Sequence, residues 1–298
     1  MKTKNLAVFY AIFAAALYAI NIPLSKLLVE HIGPTMMAAL LYIGAGIGML
    51  LFSIIKKKIG KAPHKEPLTR KELPYTISMV VLDIAAPILM MIGIGKTTSA
   101  NVSLLNNFEI VATSIIALTF YREFISKRLW IVIGMVTLAS IMLSFEGTDA
   151  FVFNKGSLYV LGACVCWGFE NNCTKMISNK DSEEIVVIKG CFSGLGSLII
   201  ALILGESIPN FYRCIAVLLL GFVAYGLSIN FYIMAQKDLG AAKTSAFYSI
   251  SPFLGVAFSM ILLGEKPSLM FYAALAVMIL GTVIMISDNN KQHNTQDD

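Results

Sequence analysis

The chain has 298 residues and a formal net charge of +5, with 57% hydrophobic and only 14% charged residues. Soluble domains carry about 25% charged residues, so this composition excludes an ordinary soluble globular protein. The positive charge does not indicate a nucleic-acid-binding protein, because the Lys and Arg residues collect between apolar stretches, where they are better explained by membrane topology.

The apolar stretches predict ten transmembrane helices in an all-α membrane protein. In chain order they cover residues 6–28, 35–55, 75–94, 98–120, 129–146, 157–177, 185–204, 214–234, 244–263 and 268–287. The first is interpreted as an uncleaved span, because its apolar character exceeds the ~7–15 residues of a signal peptide's apolar region. The polar residues 288–298 lack apolar periodicity, which predicts a disordered cytoplasmic tail.

The positions of Lys and Arg predict the orientation of the spans. Cytoplasmic loops of membrane proteins carry an excess of these residues. With the N-terminus inside, the excess falls on the side that holds the basic loop 56–71, between the second and third spans. Both termini are therefore predicted to be cytoplasmic.

The second half of the chain resembles the first. Residues 95–123 align without gaps on 237–265, and residues 17–26 align on 166–175. Two five-helix repeats follow from these alignments, residues 1–148 and 149–287. Because five is an odd number of spans, the second repeat is expected to enter the membrane upside down. Inverted repeats are typical of alternating-access transporters, whose substrate site lies between the two copies.

Three motifs carry a resemblance to a known family: residues 167–175, an aromatic-Gly stretch that ends in Lys, residues 244–252, with Thr-Ser-Ala and Ser-Pro, and the pair 264–265, Gly-Glu. With these motifs the chain resembles the drug/metabolite transporter superfamily and, within it, the ten-span EamA-type carriers. The chain departs from the family at Glu109-Ile110, where a Glu-Pro pair is common. The resemblance implies a ten-helix protein of a prokaryotic plasma membrane that moves small organic solutes by alternating access.

Two residues of opposite charge, Glu170 and Lys189, lie at membrane depth in the second repeat, and the aligned positions of the first repeat are uncharged. An ionised side chain at the centre of a membrane helix costs about 2.5–3.5 kcal/mol, so such residues usually have a function. Glu170 and Lys189 are predicted to form an ion pair that lines the substrate cavity. The alternative is that Lys189 extends to the membrane surface and Glu170 merely pairs with it.

Three more ionisable residues lie in or at the edge of predicted spans. Asp83 and Glu109 are candidate sites for a coupling proton or cation, because a carboxyl in a low-dielectric environment is poised to titrate. Alternatively they are neutral, hydrogen-bonded carboxyls, with Asn106 or Asn107 as the partner of Glu109. Lys243 is interpreted as an interface anchor.

One face of the sixth span is polar. Trp167, Glu170, Asn171 and Thr174 share this face through their i, i+3, i+4 and i+7 spacing, so they need not contact lipid. Asn172 lies off the face and is expected to hydrogen-bond a neighbouring helix. The predicted substrate-binding residues are Tyr18, Asn21, Glu109, Trp167, Glu170, Asn171, Lys189 and Tyr248. The alternative for the aromatic residues is the core or the interfacial belt.

The spacing of glycines predicts close helix packing, and prolines inside the spans predict helix irregularities. Gly44 to Gly48 and Gly190 to Gly194 both have the G-x-x-x-G spacing that brings membrane helices close together. Pro23, Pro87 and Pro252 lie inside spans, where each predicts a kink or a freed carbonyl.

The sequence argues against an enzyme. The three histidines fall in loops or the tail, and there is no P-loop, nucleophile elbow or H-E-x-x-H motif, so no cofactor, metal site or ATP-driven step is expected. Inverted repeats favour a carrier over a channel. The charge balance favours an amino acid or a related zwitterionic or cationic solute, and the alternative is an exporter of hydrophobic amines or drugs. Transport direction, coupling ion and the choice between monomer and homodimer stay open.

Overall fold

A computed structural model describes residues 2–59, 66–121, 127–144, 154–239, 244, 247–248 and 250–294. All the regular structure in these ranges is helical. The helices are α1 (Lys2–Ala19), α2 (Asn21–Val29), α3 (Pro34–Lys58), α4 (Leu73–Lys96), α5 (Ser99–Leu105), α6 (Phe108–Tyr121), α7 (Lys127–Ser144), α8 (Lys155–Ile177), α9 (Ser182–Ile203), α10 (Phe211–Gly221), α11 (Ser228–Leu239), α12 (Ser251–Leu263) and α13 (Leu269–Asn294). A short 3₁₀ turn, Arg70–Glu72, precedes α4, and a π-helical segment, Phe222–Leu227, joins α10 to α11.

Hydropathy separates these helices into two groups. Six helical segments within the described ranges are long and apolar enough to cross a membrane: Leu6–Val29, Pro34–Lys58, Arg70–Lys96, Ser99–Phe120, Ser182–Ile203 and Phe211–Ala235. Three shorter apolar helices are Trp130–Leu143, Ser251–Leu263 and Leu269–Gly281. Helix α8, at the predicted sixth span, belongs to neither group, although it is 23 residues long. Its consecutive Glu170, Asn171 and Asn172 lower its hydropathy.

Helix α13 continues past the end of the predicted tenth span at residue 287. It is helical through Asn294, within the segment predicted to be a disordered tail. Residues 295–298 lie outside the described residues.

Helix α4 runs between two opposite faces of the molecule, and hydrogen bonds connect helix ends on each face. The face at the C-terminal end of α4 is called here the 97–98 face, after the residues that connect α4 to α5. On this face Lys26 donates to the carbonyls of Ile94 and Thr97, each at 2.8 Å. On the other, called the 66–72 face, Lys180 Nζ lies 3.0 Å from Glu66 Oε2, and this hydrogen bond raises the pKa of Lys180. The chain therefore runs from the 97–98 face to the 66–72 face along α3 and returns along α4.

The two halves of the chain are interleaved rather than packed side by side. Helix α3 packs against α9, α5 against α12, and α7 against α13. Helix α4 packs against α8, and α1 against α11, while α8 also contacts α6 and α1 also contacts α12. Each of these pairs joins a helix of the first half, before residue 145, to a helix of the second half, after residue 153. The core of the molecule is therefore an interface between the halves.

The closest of these contacts, α3 with α9, depends on glycines. A Cβ added to Gly190 would meet the backbone of Gly46 and would lie 2.8 Å from the carbonyl oxygen of Tyr42. A Cβ on Gly194 would lie 2.6 Å from the backbone nitrogen of Ile43. The close packing predicted from the second G-x-x-x-G motif is confirmed.

Several helices are interrupted within the membrane-spanning part. Helix α1 ends at Ala19, and α2 begins two residues later, in the first predicted span, which contains Pro23. Proline has no N–H, so the carbonyl of Ala19 has no i+4 donor there. Asn106 and Asn107 form a turn between α5 and α6, and both are buried. Interrupted backbone at this depth is tolerated where protein rather than lipid surrounds it.

Candidate functional site

A buried network of charges joins the two halves of the chain. Lys189, on α9, places its Nζ 2.9 Å from Glu170 Oε1 on α8 and 3.2 Å from Asp83 Oδ2 on α4. Tyr42, on α3, donates a hydrogen bond of 2.9 Å to Asp83 Oδ1, and Thr174 donates to Glu170. Since Asp83 and Tyr42 come from the first half and the other members from the second, the network links the halves at their interface.

The network contains two carboxyl groups and one amino group. The side chains of Asp83, Glu170 and Lys189 are 0%, 3% and 7% exposed, so water does not screen them. One ammonium stands between two carboxylates. The predicted ion pair of Glu170 and Lys189 is present, and the Lys189 side chain is enclosed by protein; that the pair lines a substrate cavity stays a prediction. The sequence did not predict that Asp83 shares the same lysine.

A third carboxyl group, that of Glu109, has a different environment. Asn171 Nδ2 donates to Glu109 Oε1 at 2.6 Å and lies 3.4 Å from the hydroxyl of Thr113. The expected partners Asn106 and Asn107 are replaced by Asn171 because α6 packs against α8. Glu109 is only half-buried, and no ion pair joins it to a described residue.

Asn172 behaves as predicted for a residue off the polar face. Its side-chain amide donates to the carbonyl of Thr113 on α6 at 3.1 Å and to the carbonyl of Gly168 at 2.8 Å. Gly168 itself contacts Ala112 closely, since a Cβ there would lie 2.7 Å from the Ala112 side chain. The contact between α6 and α8 is therefore tight, and it fixes the position of Asn171 relative to Glu109.

A chain of tyrosines adjoins the carboxyl groups. Tyr225, in the π-helical segment, lies with its ring centroid 5.1 Å from Tyr42 and 5.8 Å from Tyr18. Tyr18 is 5.9 Å from Tyr248, which is 4.9 Å from Tyr232. The five rings come from α1, α3, α11 and the segments beside them, so they form a continuous aromatic wall, called here the tyrosine wall.

Asn21 ties the first helix interruption to this wall. Its side-chain amide donates to the hydroxyl of Tyr225 at 3.2 Å, and its carbonyl oxygen accepts from Ser25 at 3.0 Å. Asn21 is fully buried, so both hydrogen bonds satisfy groups that lipid would leave unpaired. Trp167 is also buried and belongs to the same core cluster as Tyr18 and Tyr225.

The predicted site residues thus fall into three neighbouring groups. Glu170 and Lys189 belong to the charge network, together with the coupling candidate Asp83. Glu109 and Asn171 form a hydrogen-bonded pair. Tyr18, Asn21, Trp167 and Tyr248 belong to the tyrosine wall or its packing. Lys243 lies outside the described residues.

Two participants were missed by sequence reasoning. Tyr42 stands in an apolar run and resembles an ordinary core residue, and Thr113 resembles a helix-packing threonine. The usable signal was that Tyr42 precedes Gly46 by one helical turn, at the close crossing with the helix that carries Lys189. Within the described ranges there is no group of three or more His, Cys, Asp or Glu residues arranged to hold a metal ion.

Comparison with known proteins gives a consistent family assignment. A family model described as the EamA-like transporter family matches residues 5–145 and 154–287. An uncharacterized transporter of Methanothermobacter thermautotrophicus is 25% identical over 92% of this chain and 84% of that protein. The uncharacterized inner membrane transporter YedA of Escherichia coli is 24% identical over 93% of this chain and 87% of that protein.

A solved structure supports the fold independently of sequence. A crystal structure superimposes on this chain with a TM-score of 0.69, covering 93% of this chain and 94% of the other, at 14% sequence identity. At this identity the likeness concerns the fold alone.

Proposed function

Because the chain belongs to the EamA-like transporter family, whose members are transporters and not enzymes, we propose that it is a secondary transporter for a small organic solute that carries an ammonium group. An amino acid or related zwitterionic or cationic solute is the first candidate. Transport takes place across the plasma membrane by alternating access, with both chain termini cytoplasmic. The solute site is formed by Glu109, the charge network and the tyrosine wall.

The packing of the helices supports two inverted five-helix repeats and ten spans. If spans one to five correspond to spans six to ten, a two-fold relation maps the pair of the second and seventh spans onto itself, and likewise the fourth with the ninth and the fifth with the tenth, so each of these pairs can pack symmetrically. These are the contacts of α3 with α9, α5 with α12 and α7 with α13. The same relation exchanges the contact of α4 with α8 for that of α11 with α1, and both are present.

The substrate proposal rests on Glu109, which has a hydrogen-bond partner but no ion-pair partner among the described residues. It is a half-buried carboxyl at membrane depth that has an amide, Asn171, but no cation as its partner in the described part of the chain. Its partner Asn171 lies on α8 one turn from Trp167, which belongs to the same core cluster as Tyr18 and Tyr225 of the tyrosine wall. A solute ammonium supplies the missing positive charge, while the aromatic rings enclose its apolar part.

Replacement of Glu109 by Gln tests this role. A hydrogen bond to a charged group contributes about 1.5–3 kcal/mol, so the variant is expected to bind its solute about tenfold or more weakly. The measurement is the shift in thermal unfolding of the full-length protein with amino acids, polyamines and organic amines, followed by uptake into proteoliposomes. Glu30→Gln, an exposed carboxyl at the end of α2, is the matched control. An unchanged affinity in Glu109→Gln would contradict the proposal.

The tyrosine wall supports the second candidate function, export of hydrophobic amines or drugs. Five adjacent rings would give bulky cations of varied shape several aromatic faces to contact, once a conformational change uncovers the buried Tyr18, Tyr42 and Tyr225. The same panel separates the two functions. Stereoselective stabilisation by amino acids favours the first, whereas a response restricted to bulky lipophilic amines favours the second.

The coupling ion is proposed to act on the carboxyls that share Lys189 or contact the solute. A proton on Asp83 removes one of the two negative charges that hold Lys189, and a proton on Glu109 competes with the solute ammonium. Asp83 belongs to the first half and Lys189 to the second, so protonation of Asp83 weakens an attraction between the halves. Proton binding is in this way tied to the movement that alternating access requires.

On the 97–98 face the carboxylate of Glu265 joins the two halves of the chain, a contact that alternating access must release. Glu265 accepts hydrogen bonds of 2.8 Å from the backbone nitrogens of Ser99 and Ala100, at the start of α5. Glu265 follows α12, so the contact joins the two halves. We expect Glu265→Gln to increase hydrogen exchange in peptides covering residues 99–105 by about tenfold, because a charge-assisted hydrogen bond is replaced by a neutral one.

The exchange measurement has an internal control. Glu206 makes a similar contact elsewhere on the same face, accepting from the backbone nitrogens of Thr35 and Met36 at the start of α3. Glu206→Gln should accelerate exchange at the start of α3 and leave residues 99–105 unchanged. Equal exchange of residues 99–105 in the wild type and Glu265→Gln would show that Glu265 does not stabilise this contact between the halves.

A further inference from the structure

An open cavity of about 580 Å³ lies on the 97–98 face, apart from the charge network and the tyrosine wall. Its walls come from the ends of α2 and α4, the start of α5, the residue before α8, and the loop between α12 and α13. Both halves of the chain therefore contribute to it. No residue of the proposed solute site lines it.

Three lysines line this cavity. Lys26 is engaged, since its ammonium donates to two carbonyls. Lys96 and Lys266 are exposed, and neither forms an ion pair with a described residue. The carboxylate of Glu265 also lines the cavity, but both of its oxygens accept backbone hydrogen bonds from α5. The lining consequently has a net positive charge with two ammonium groups available to a ligand.

A buried amide points to a ligand independently of the lysines. Asn101 lines the cavity and is only 3% exposed. Its backbone nitrogen donates to Thr98, yet its side-chain amide makes no hydrogen bond to any described residue. Because this amide borders the open cavity, a ligand bound there would give it a hydrogen-bond partner.

From these features we infer that the cavity is a binding site for a small oxyanionic group, phosphate or carboxylate. Its donors are the ammonium groups of Lys96 and Lys266 and the side-chain amide of Asn101. Ammonium groups bind phosphate as point charges, and the amide adds a directed hydrogen bond. The oxyanion belongs either to a free solute or to the headgroup of an anionic phospholipid, which present the same chemistry to these donors. The site adds a second ligand to the transporter and does not depend on the identity of the transported solute.

The test uses full-length protein in a neutral detergent, with thermal unfolding followed during titration with inorganic phosphate. Sodium chloride keeps the ionic strength constant, so that screening alone produces no shift. A parallel arm compares micelles that contain phosphatidylglycerol with micelles that contain phosphatidylcholine. We expect stabilisation by phosphate, by phosphatidylglycerol or by both, with the responding arm identifying the source of the oxyanion.

Variants assign the response to the cavity. Asn101→Leu is expected to weaken the interaction about tenfold, the loss of one charge-assisted hydrogen bond, and Lys96→Gln/Lys266→Gln, which removes two, is expected to weaken it by more than tenfold. Lys57→Gln/Lys58→Gln removes two exposed lysines at the far end of α3 and should leave the response unchanged. The proposal is overturned if neither phosphate nor phosphatidylglycerol stabilises the protein. It is also overturned if the variants at Lys96, Lys266 and Asn101 respond like the wild type.

Discussion

Replacement of Lys189 by Met is expected to lower the free energy of unfolding by about 3–5 kcal/mol and to abolish transport. The ammonium of Lys189 lies 2.9 Å from Glu170 and 3.2 Å from Asp83, and both carboxyls are buried. Without it, two negative groups are left in a low-dielectric interior with no compensating cation. Thermal and denaturant unfolding of the purified protein measure the stability, and proteoliposome uptake measures the function.

A compensated variant distinguishes a structural from a functional role of this lysine. Adding Asp83→Asn and Glu170→Gln to Lys189→Met removes the unpaired charges and should recover most of the lost stability, because an uncharged network of similar shape is often well tolerated. Transport should stay absent if the charges are needed for solute or proton binding. Lys155→Met, an exposed lysine at the start of α8, is the control. Wild-type stability in Lys189→Met would contradict the described network.

Gly190→Ala is the second substitution with a large expected effect. The added methyl group would meet the backbone of Gly46, which has no side chain to move aside. Overpacking of this kind costs about 1–3 kcal/mol, and here it forces α3 away from α9, displacing Tyr42 from Asp83. The unfolding temperature should fall, and transport should fall with it.

Gly134→Ala is a matched control for the glycine substitution. Gly134 is exposed on α7, and a Cβ there would meet nothing within 4 Å. Alanine is the better helix former by about 1 kcal/mol, so this variant should be as stable as the wild type or slightly more stable. If Gly134→Ala and Gly190→Ala are equally stable, the close contact between α3 and α9 is not needed for folding.

Much of the helical fold was predictable because burial in lipid imposes long apolar runs. The predicted span 75–94 corresponds to α4, Leu73–Lys96, and the predicted span 185–204 to α9, Ser182–Ile203. The interruptions were less visible. The first predicted span proved to be two helices, since hydropathy averages over a break of a single residue. Only Pro23 marked the region, and proline does not specify whether a helix kinks or stops.

The candidate site was predictable where one helix determined it and unpredictable where two helices had to be aligned. The i, i+4 spacing of Trp167 and Asn171 is a property of α8 alone. The pairing of Asn171 with Glu109 depends instead on how α6 and α8 are rotated about their axes. The same holds for Asp83, whose shared use of Lys189 follows from the packing of α4 beside α9. Local periodicity contains no information about such rotations.

The π-helical segment Phe222–Leu227 determines the directions in which the side chains of α11 point around the helix axis. An α-helix turns by about 100° per residue, so accommodating one residue more in a turn directs the subsequent side chains about 100° away from the face that α10 would assign them. In the observed phase Ser228 donates to the carbonyl of Ala14 on α1, and Asn230 accepts from Ser182 on α9. The side chains before and after Tyr225 in the eighth span therefore face different neighbouring helices. A single helical wheel drawn through the whole span assigns the side chains of one half to the wrong face.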